Sequence, residues 1–269
     1  MELELAVLFA PDVASLAARA VAGRADAAAA AELDAAIVRV LDDLPFGAPF
    51  TFAEQYGGAV VHDVRPREGH ETEQSSRGRV KLELHTDDAF LGALARPRHL
   101  ALIGVSNPDR VPTLIARLDD LLELLDSRTV DALSQPWFHF PCPQSFDLAM
   151  DVVAGLQPKS VLSAGSDGRL QISLAPDTAV AALAAEEDEE EAERHLELLW
   201  RAVDRAPCTS VALSPGELLV VSNSRCLHGR PPVSAERWIK RVYMREDLSA
   251  LDCLAATGSP GVYAAANAL

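Results

Sequence analysis

Seven histidines are spread along the 269 residues, at His62, His70, His85, His99, His139, His195 and His228. Two of them open a His-x-acid triplet: His85-Thr86-Asp87 and His195-Leu196-Glu197. In an extended strand residues i and i+2 point to the same side, so His85 and Asp87 can offer an imidazole and a carboxylate to one cation. On a helix the same spacing separates the side chains by about 200°. Residues 184–203, AAEEDEEEAERHLELLWRAV, carry Leu196, Leu199, Trp200 and Val203 at helical spacing behind an acidic face, which removes His195 and Glu197 as a chelating pair. With 40 acidic residues in the chain, a His-x-acid match is weak evidence by itself, and a third ligand is needed. His228 has a fitting context in SPGELLVVSNSRCLHGRPP: a Pro-Gly turn, an apolar strand, a polar turn at Ser222-Asn223-Ser224, and then a histidine placed to end a core strand at a barrel mouth. Considered alone, His228 reads as a hydrogen-bonded surface histidine before a turn.

Two histidines and one carboxylate that leave coordination positions open make the facial triad used by non-haem Fe(II). Such iron takes a bidentate co-substrate whose far carboxylate needs a cation. RWIKR offers two: Arg237 and Arg241 are four apart, so on a strand they face the same way, and an arginine fork binds a carboxylate bidentately without losing its charge. The plain alternative is a half-exposed strand with snorkelling arginines. The same three ligands also suit a zinc-dependent hydrolase or a non-catalytic cupin-like binding protein.

The elements that must position these residues follow from pattern. Residues 1–45 are alanine-rich and read as helix, broken near Gly23. FGAPF ends that part, and residues 46–250 carry short β-like runs, GGAVVHDV, RVKLELHT, HLALIGV, KSVLSA, RLQISL, TSVALSPGELLVVSN and RWIKRVYMRED, separated by Gly, Pro and polar loops. LIARLDDLLELLDSRTVDALSQ reads as a helical insertion. The order predicts a β-sandwich or barrel with helices outside, in a single domain over 1–269. Hydrophobic residues at 49% and charged residues at 24% are ordinary for a globular protein, and no apolar run reaches the roughly 18 residues of a membrane span. A net charge of −16 with no long basic run argues against a nucleic-acid partner. The acidic start MELELAVLFAP lacks the character of a secretory signal, so the expected location is cytoplasmic. Cys142, Cys208, Cys226 and Cys253 have no CxxC spacing and are expected to be small buried residues.

From about Phe50 to Asp247 the chain resembles the clavaminate synthase-like group of Fe(II)/2-oxoglutarate oxygenases, within the taurine-dioxygenase-like class, through VVHDVRP, GHETEQSS, ELHTDDAF, LLVVSNSRCLHGRPP and RWIKRVYMRED in that order. The resemblance implies a double-stranded β-helix, or jelly roll, of cupin-like form. It implies oxidation of a free amino acid or a related small molecule, often in natural-product biosynthesis, with 2-oxoglutarate and O2 as co-substrates. It makes His85, Asp87 and His228 the iron ligands, Arg237 and Thr113 the grip on 2-oxoglutarate, and Gln55, Ser75 and Arg241 contacts to the substrate's amino-acid end. Three features differ from the group. Asp87 stands where glutamate is common, and its presence disfavours chlorination. Only eight residues separate His228 from Arg237. Gln171, Ser173 and Ala175 stand where relatives that take cationic substrates carry acids, with Asp177 alone nearby, so a strongly cationic side chain is not expected. Asp88, in the strand reading, points away from the metal toward backbone or solvent.

Overall fold

The computed structural model describes residues 4–23, 26–255 and 261–269. Among these, fifteen strands and six α-helices follow one another as β1 (Leu5–Phe9), α1 (Pro11–Ala22), α2 (Ala27–Asp42), β2 (Ala48–Phe52), β3 (Val61–Val64), β4 (Leu82–His85), β5 (His99–Ser106), β6 (Thr113–Arg117), α3 (Leu118–Leu122) and α4 (Ser127–Leu133). They continue as β7 (Phe138–His139), α5 (Met150–Ala154), β8 (Leu162–Ala164), β9 (Leu170–Ile172), β10 (Ala179–Val180), α6 (Glu186–Arg205), β11 (Cys208–Val211), β12 (Glu217–Ser222), β13 (Cys226–Arg230), β14 (Trp238–Arg245) and β15 (Val262–Tyr263).

Two sheets carry the architecture. The larger runs β1-β12-β5-β14-β2-β15, with β3 also on β14; the smaller runs β11-β6-β13-β4. Alternation along each strand supplies the core. Leu100, Leu102, Leu219, Val221, Ile239 and Tyr243 of the larger sheet join Ile115, Ala116 and Leu227 of the smaller one in a single apolar cluster. The opposite face of the larger sheet, with Ala101, Ile103, Leu218, Val220 and Val242, is covered by Val13 and Ala17 of α1 and by Leu33, Ile37 and Leu41 of α2. Asp26 caps α2 by accepting from the amides of Ala28 and Ala29. Among the described residues no helix is long and apolar enough to cross a membrane.

Several expectations change. Residues 5–9 are not helical: LAVLF pairs antiparallel with β12, because its unbroken apolar run completes a sheet edge. The insertion read as one helix from 114 begins as β6, which is paired on both sides by β11 and β13. Helix resumes only after Arg117 and restarts at Asp126, whose carboxylate accepts from the Thr129 amide at 2.7 Å. His228 lies within β13 rather than ending β12, since the Ser222–Ser224 turn is followed by a further strand. Of the cysteines only Cys226 is buried; Cys142 is half-buried, and Cys208, on edge strand β11, and Cys253 are exposed. RWIKR is buried throughout, because β14 is a central strand between β5 and the β2/β3 pair.

Candidate active site

A cavity of about 460 Å³ lies between the two sheets, lined by residues of β3, β4, β5, β6, β13 and β14. His85 ends β4 and His228 sits directly opposite it on β13. Their Nε2 atoms lie 3.4 Å and 3.7 Å from one oxygen, Asp87 Oδ1. One ligand atom from each of the three residues lies within 4.8 Å of the others, an arrangement that could hold one metal ion. The electrostatics agree. His85 Nδ1 is 2.8 Å from the Glu83 carbonyl, so its N–H donates there and Nε2 is the ring nitrogen turned toward Asp87. Burial, aided by His85, pushes the His228 pKa down to about 3 and keeps that imidazole neutral, as a metal ligand must be. Burial alone would raise the Asp87 carboxyl; the Arg241 guanidinium, donating to its Oδ2, outweighs that and holds the group ionised, well below the usual carboxylate range.

Strand alternation does not aim Asp87. The strand stops at His85, and Asp87 enters a turn that Asn223 fixes from both sides: the Asp87 amide donates to Asn223 Oδ1 at 2.8 Å, and Asn223 Nδ2 donates to the Asp87 carbonyl at 3.0 Å. Asp88 takes a left-handed φ of 54°, rare for a residue with a Cβ, and this swings its carboxylate inward. The expectation that Asp88 faces backbone or solvent is therefore corrected. It is 4% exposed, accepts from Tyr243 OH at 3.3 Å and Gln55 Nε2 at 3.4 Å, and lines the cavity. Asp88 Oδ2 and Gln55 Oε1 are buried without a hydrogen-bond partner. Burial first, and the Asp87 charge second, raise the Asp88 pKa to about 7.

The two arginines reach the cavity on different terms. Arg237, just before β14, donates from Nη2 to Thr113 Oγ1 at 2.8 Å, and among the described residues no carboxylate pairs with it. Burial, with Arg230 nearby, lowers its pKa to about 10, so it stays cationic at neutral pH. Arg241 donates from Nη1 to Asp87 Oδ2 at 2.7 Å and stands 3.3 Å from His62 Nδ1, so its fork already serves the carboxylate of the His85–Asp87–His228 set. Ser75 lines the cavity, its Oγ donating to Glu73 Oε2. Gln171 and Ser173 do not line it, whereas Ala175, Pro176 and Asp177 do. His195, on α6, is buried against Thr129 Oγ1, away from the donor set. Sequence reasoning missed Asn223, Asp88 and Tyr243 as parts of the site. The polar Ser-Asn-Ser after an apolar strand is the signal that pointed toward the first.

No family model matches the chain. Enduracididine beta-hydroxylase of Streptomyces hygroscopicus is 31% identical over 225 residues, covering 75% of this chain and 64% of that protein. The non-haem iron oxygenase OrfP, solved with Fe, succinate and (3S)-hydroxy-L-Arg, superposes with a TM-score of 0.69 at 30% identity over 81% of this chain and 68% of that one. An asparagine oxygenase, solved with Fe(II), 2S,3S-3-hydroxyasparagine and succinate, gives a TM-score of 0.73 at 28% identity over 86% and 70%. The chain thus spans just under two thirds of the enduracididine hydroxylase. Its cupin-like fold of two facing sheets, the ordered donor set and these likenesses together establish that it belongs to the clavaminate synthase-like group of Fe(II)/2-oxoglutarate oxygenases.

Proposed function

We propose that the chain, acting as one domain, is an Fe(II)/2-oxoglutarate-dependent oxygenase that hydroxylates an unactivated C–H bond of a free amino acid or an amino-acid-derived small molecule, releasing succinate and CO2. The observation that carries this is the convergence of His85, Asp87 and His228 in one cavity with Arg237, which among the described residues pairs with no carboxylate. Iron held by the three ligands supplies, with 2-oxoglutarate and O2, the oxidising power for C–H cleavage. The protein's task is placement. Arg237, with Thr113 beside it, takes the far carboxylate of 2-oxoglutarate as a charge-assisted pair in a buried setting. Asp87 is steadied by Arg241 and Asn223, so its ligating oxygen has little freedom.

For the substrate, Gln55 Oε1 and Asp88 Oδ2 are buried cavity-lining oxygens without a hydrogen-bond partner, and they suit the N–H groups of an ammonium. Ser75 stands at the same cavity for the amino-acid end, with Arg241 contributing charge beside Asp87. The lining also includes Ala175, Pro176, Gln144 and Ser145, and Asp177 is exposed; this favours a side chain without strong positive charge. A screen of amino acids for substrate-dependent succinate release, with Fe(II) and 2-oxoglutarate added, tests the reading. The oxygenase reading predicts stimulation by at least one amino acid, free or carrier-bound. Hydrolysis supported by Zn(II), with no succinate formed under any condition, would overturn it.

A further inference from the structure

We infer that Arg230 is a positioning residue that holds the segment 71–80 as a roof over the cavity and so fixes Ser75 toward the substrate, an inference that rests on the function proposed above. Glu73, Gln74, Ser75, Ser76 and Arg77 all line the cavity, yet the segment has only turns and bends. Within itself it is tied by the Gly78 amide to the Ser75 carbonyl at 3.2 Å and by the Arg79 amide to the Glu71 carbonyl at 2.8 Å. Glu73 gathers His70, Ser75 and Arg77 around its carboxylate.

What joins this loop to the sheet is chiefly one guanidinium. Arg230 Nη2 donates to the carbonyls of Gly78 at 2.6 Å and Ser75 at 3.2 Å, and Nη1 donates to Val80 at 2.7 Å and Pro231 at 3.3 Å. Arg230 is 4% exposed, and among the described residues no carboxylate lies within ion-pair distance of it. A buried cation without a counter-charge is costly, and the expense makes sense where a rigid fork must reach several carbonyls at once. Arg230 is also two residues beyond His228 on β13, and both residues line the cavity. One strand therefore aims successive side chains at the metal position and at the roof. Arg79 ties the far end of the segment to the Val233–Ala235 stretch, and Tyr56 OH meets Ser76 Oγ at 3.1 Å, so loss of Arg230 frees the roof without unfolding the whole loop.

The test uses Arg230→Lys, which keeps charge and stem but not the fork, with Arg230→Met beside it. Hydrogen exchange on the ligand-free protein should run at least about tenfold faster at the amides of Gly78, Arg79 and Val80, with β5 and β12 unchanged. In turnover with the amino acid that stimulates succinate release, its KM should rise about tenfold in Arg230→Lys while that for 2-oxoglutarate moves less than about threefold. Unchanged roof exchange in Arg230→Lys, exchange that accelerates equally along β4 and β13, or KM values that rise together would each overturn the inference. Because the exchange is read without ligand, failure of the oxygenase reading leaves that measurement standing.

Discussion

Replacing Asp88 by asparagine should make the metal-free protein more stable, and increasingly so as the pH rises. The group's ordinary pKa of 3.8 is raised to about 7 in the fold, first by burial and then by the neighbouring Asp87 charge. Between these values the folded protein holds a proton that the unfolded chain has released. Stability from this group is thus complete below pH 4 and lost as the pH climbs through 7. Each pH unit inside the window costs roughly 1.4 kcal/mol, and the whole span is on the order of 4 kcal/mol. The substituted amide keeps an oxygen for Gln55 and Tyr243 but carries no charge, so none of this loss applies to it. Its new NH2 replaces an unpartnered oxygen and adds a cost that does not vary with pH. Urea unfolding of both proteins without metal, in half-unit steps from about pH 5.5 to 8.5, should show the difference in favour of asparagine growing by about 2 kcal/mol up to pH 7 and then levelling. A difference that stays flat, or shrinks with pH, would refute the placement of Asp88 as a buried, unpaired carboxylate. Above about pH 7, where the Asp88 carboxylate is ionised, the same variant should bind the amino-acid substrate about tenfold more weakly, since an ionised acceptor becomes a neutral one.

Asp87→Asn should lower Fe(II) affinity by at least about tenfold and remove most succinate formation, measured by metal titration and end-point assay, because Asp87 Oδ1 is the atom both imidazoles face. Arg237→Met should raise the KM for 2-oxoglutarate about 30-fold or more, following the loss of a buried charge pair, with the Fe(II) titration unchanged. Asn223→Ala should cost about 2 kcal/mol in thermal unfolding and weaken metal binding together, because two hydrogen bonds to the Asp87 backbone go at once.

The convergence of His85, Asp87 and His228 was readable because its signals are local: a His-x-acid triplet and an apolar strand before His228, with an arginine pair at strand spacing close by. The jelly roll was implied by motif order, while periodicity alone reached only strands with helices outside. What escaped the sequence depends on contacts between distant segments. β6 looks helical because LIARLDDLLELL carries apolar residues at helical intervals, yet pairing on both edges overrides that preference. Asp88 was misdirected for a related reason: alternation holds only while the strand lasts, and the backbone leaves it at His85. The cysteine expectation held for Cys226 and failed for Cys208 and Cys253, which an edge strand and a short 3-10 helix leave in solvent whatever their intrinsic preference.

Gly229, between His228 and Arg230, has a role in time as well as in space. A Cβ there would stand 2.6 Å from the Leu82 carbonyl, so only a bare backbone lets β13 close on β4 with His228 opposite His85. More than half the chain separates these two histidines. A growing or partly folded chain therefore offers a passing cation no more than the His85–Asp87 pair. A cation held by all three donors would require β13 to be paired with β4, so its binding would report that this distant pairing has formed.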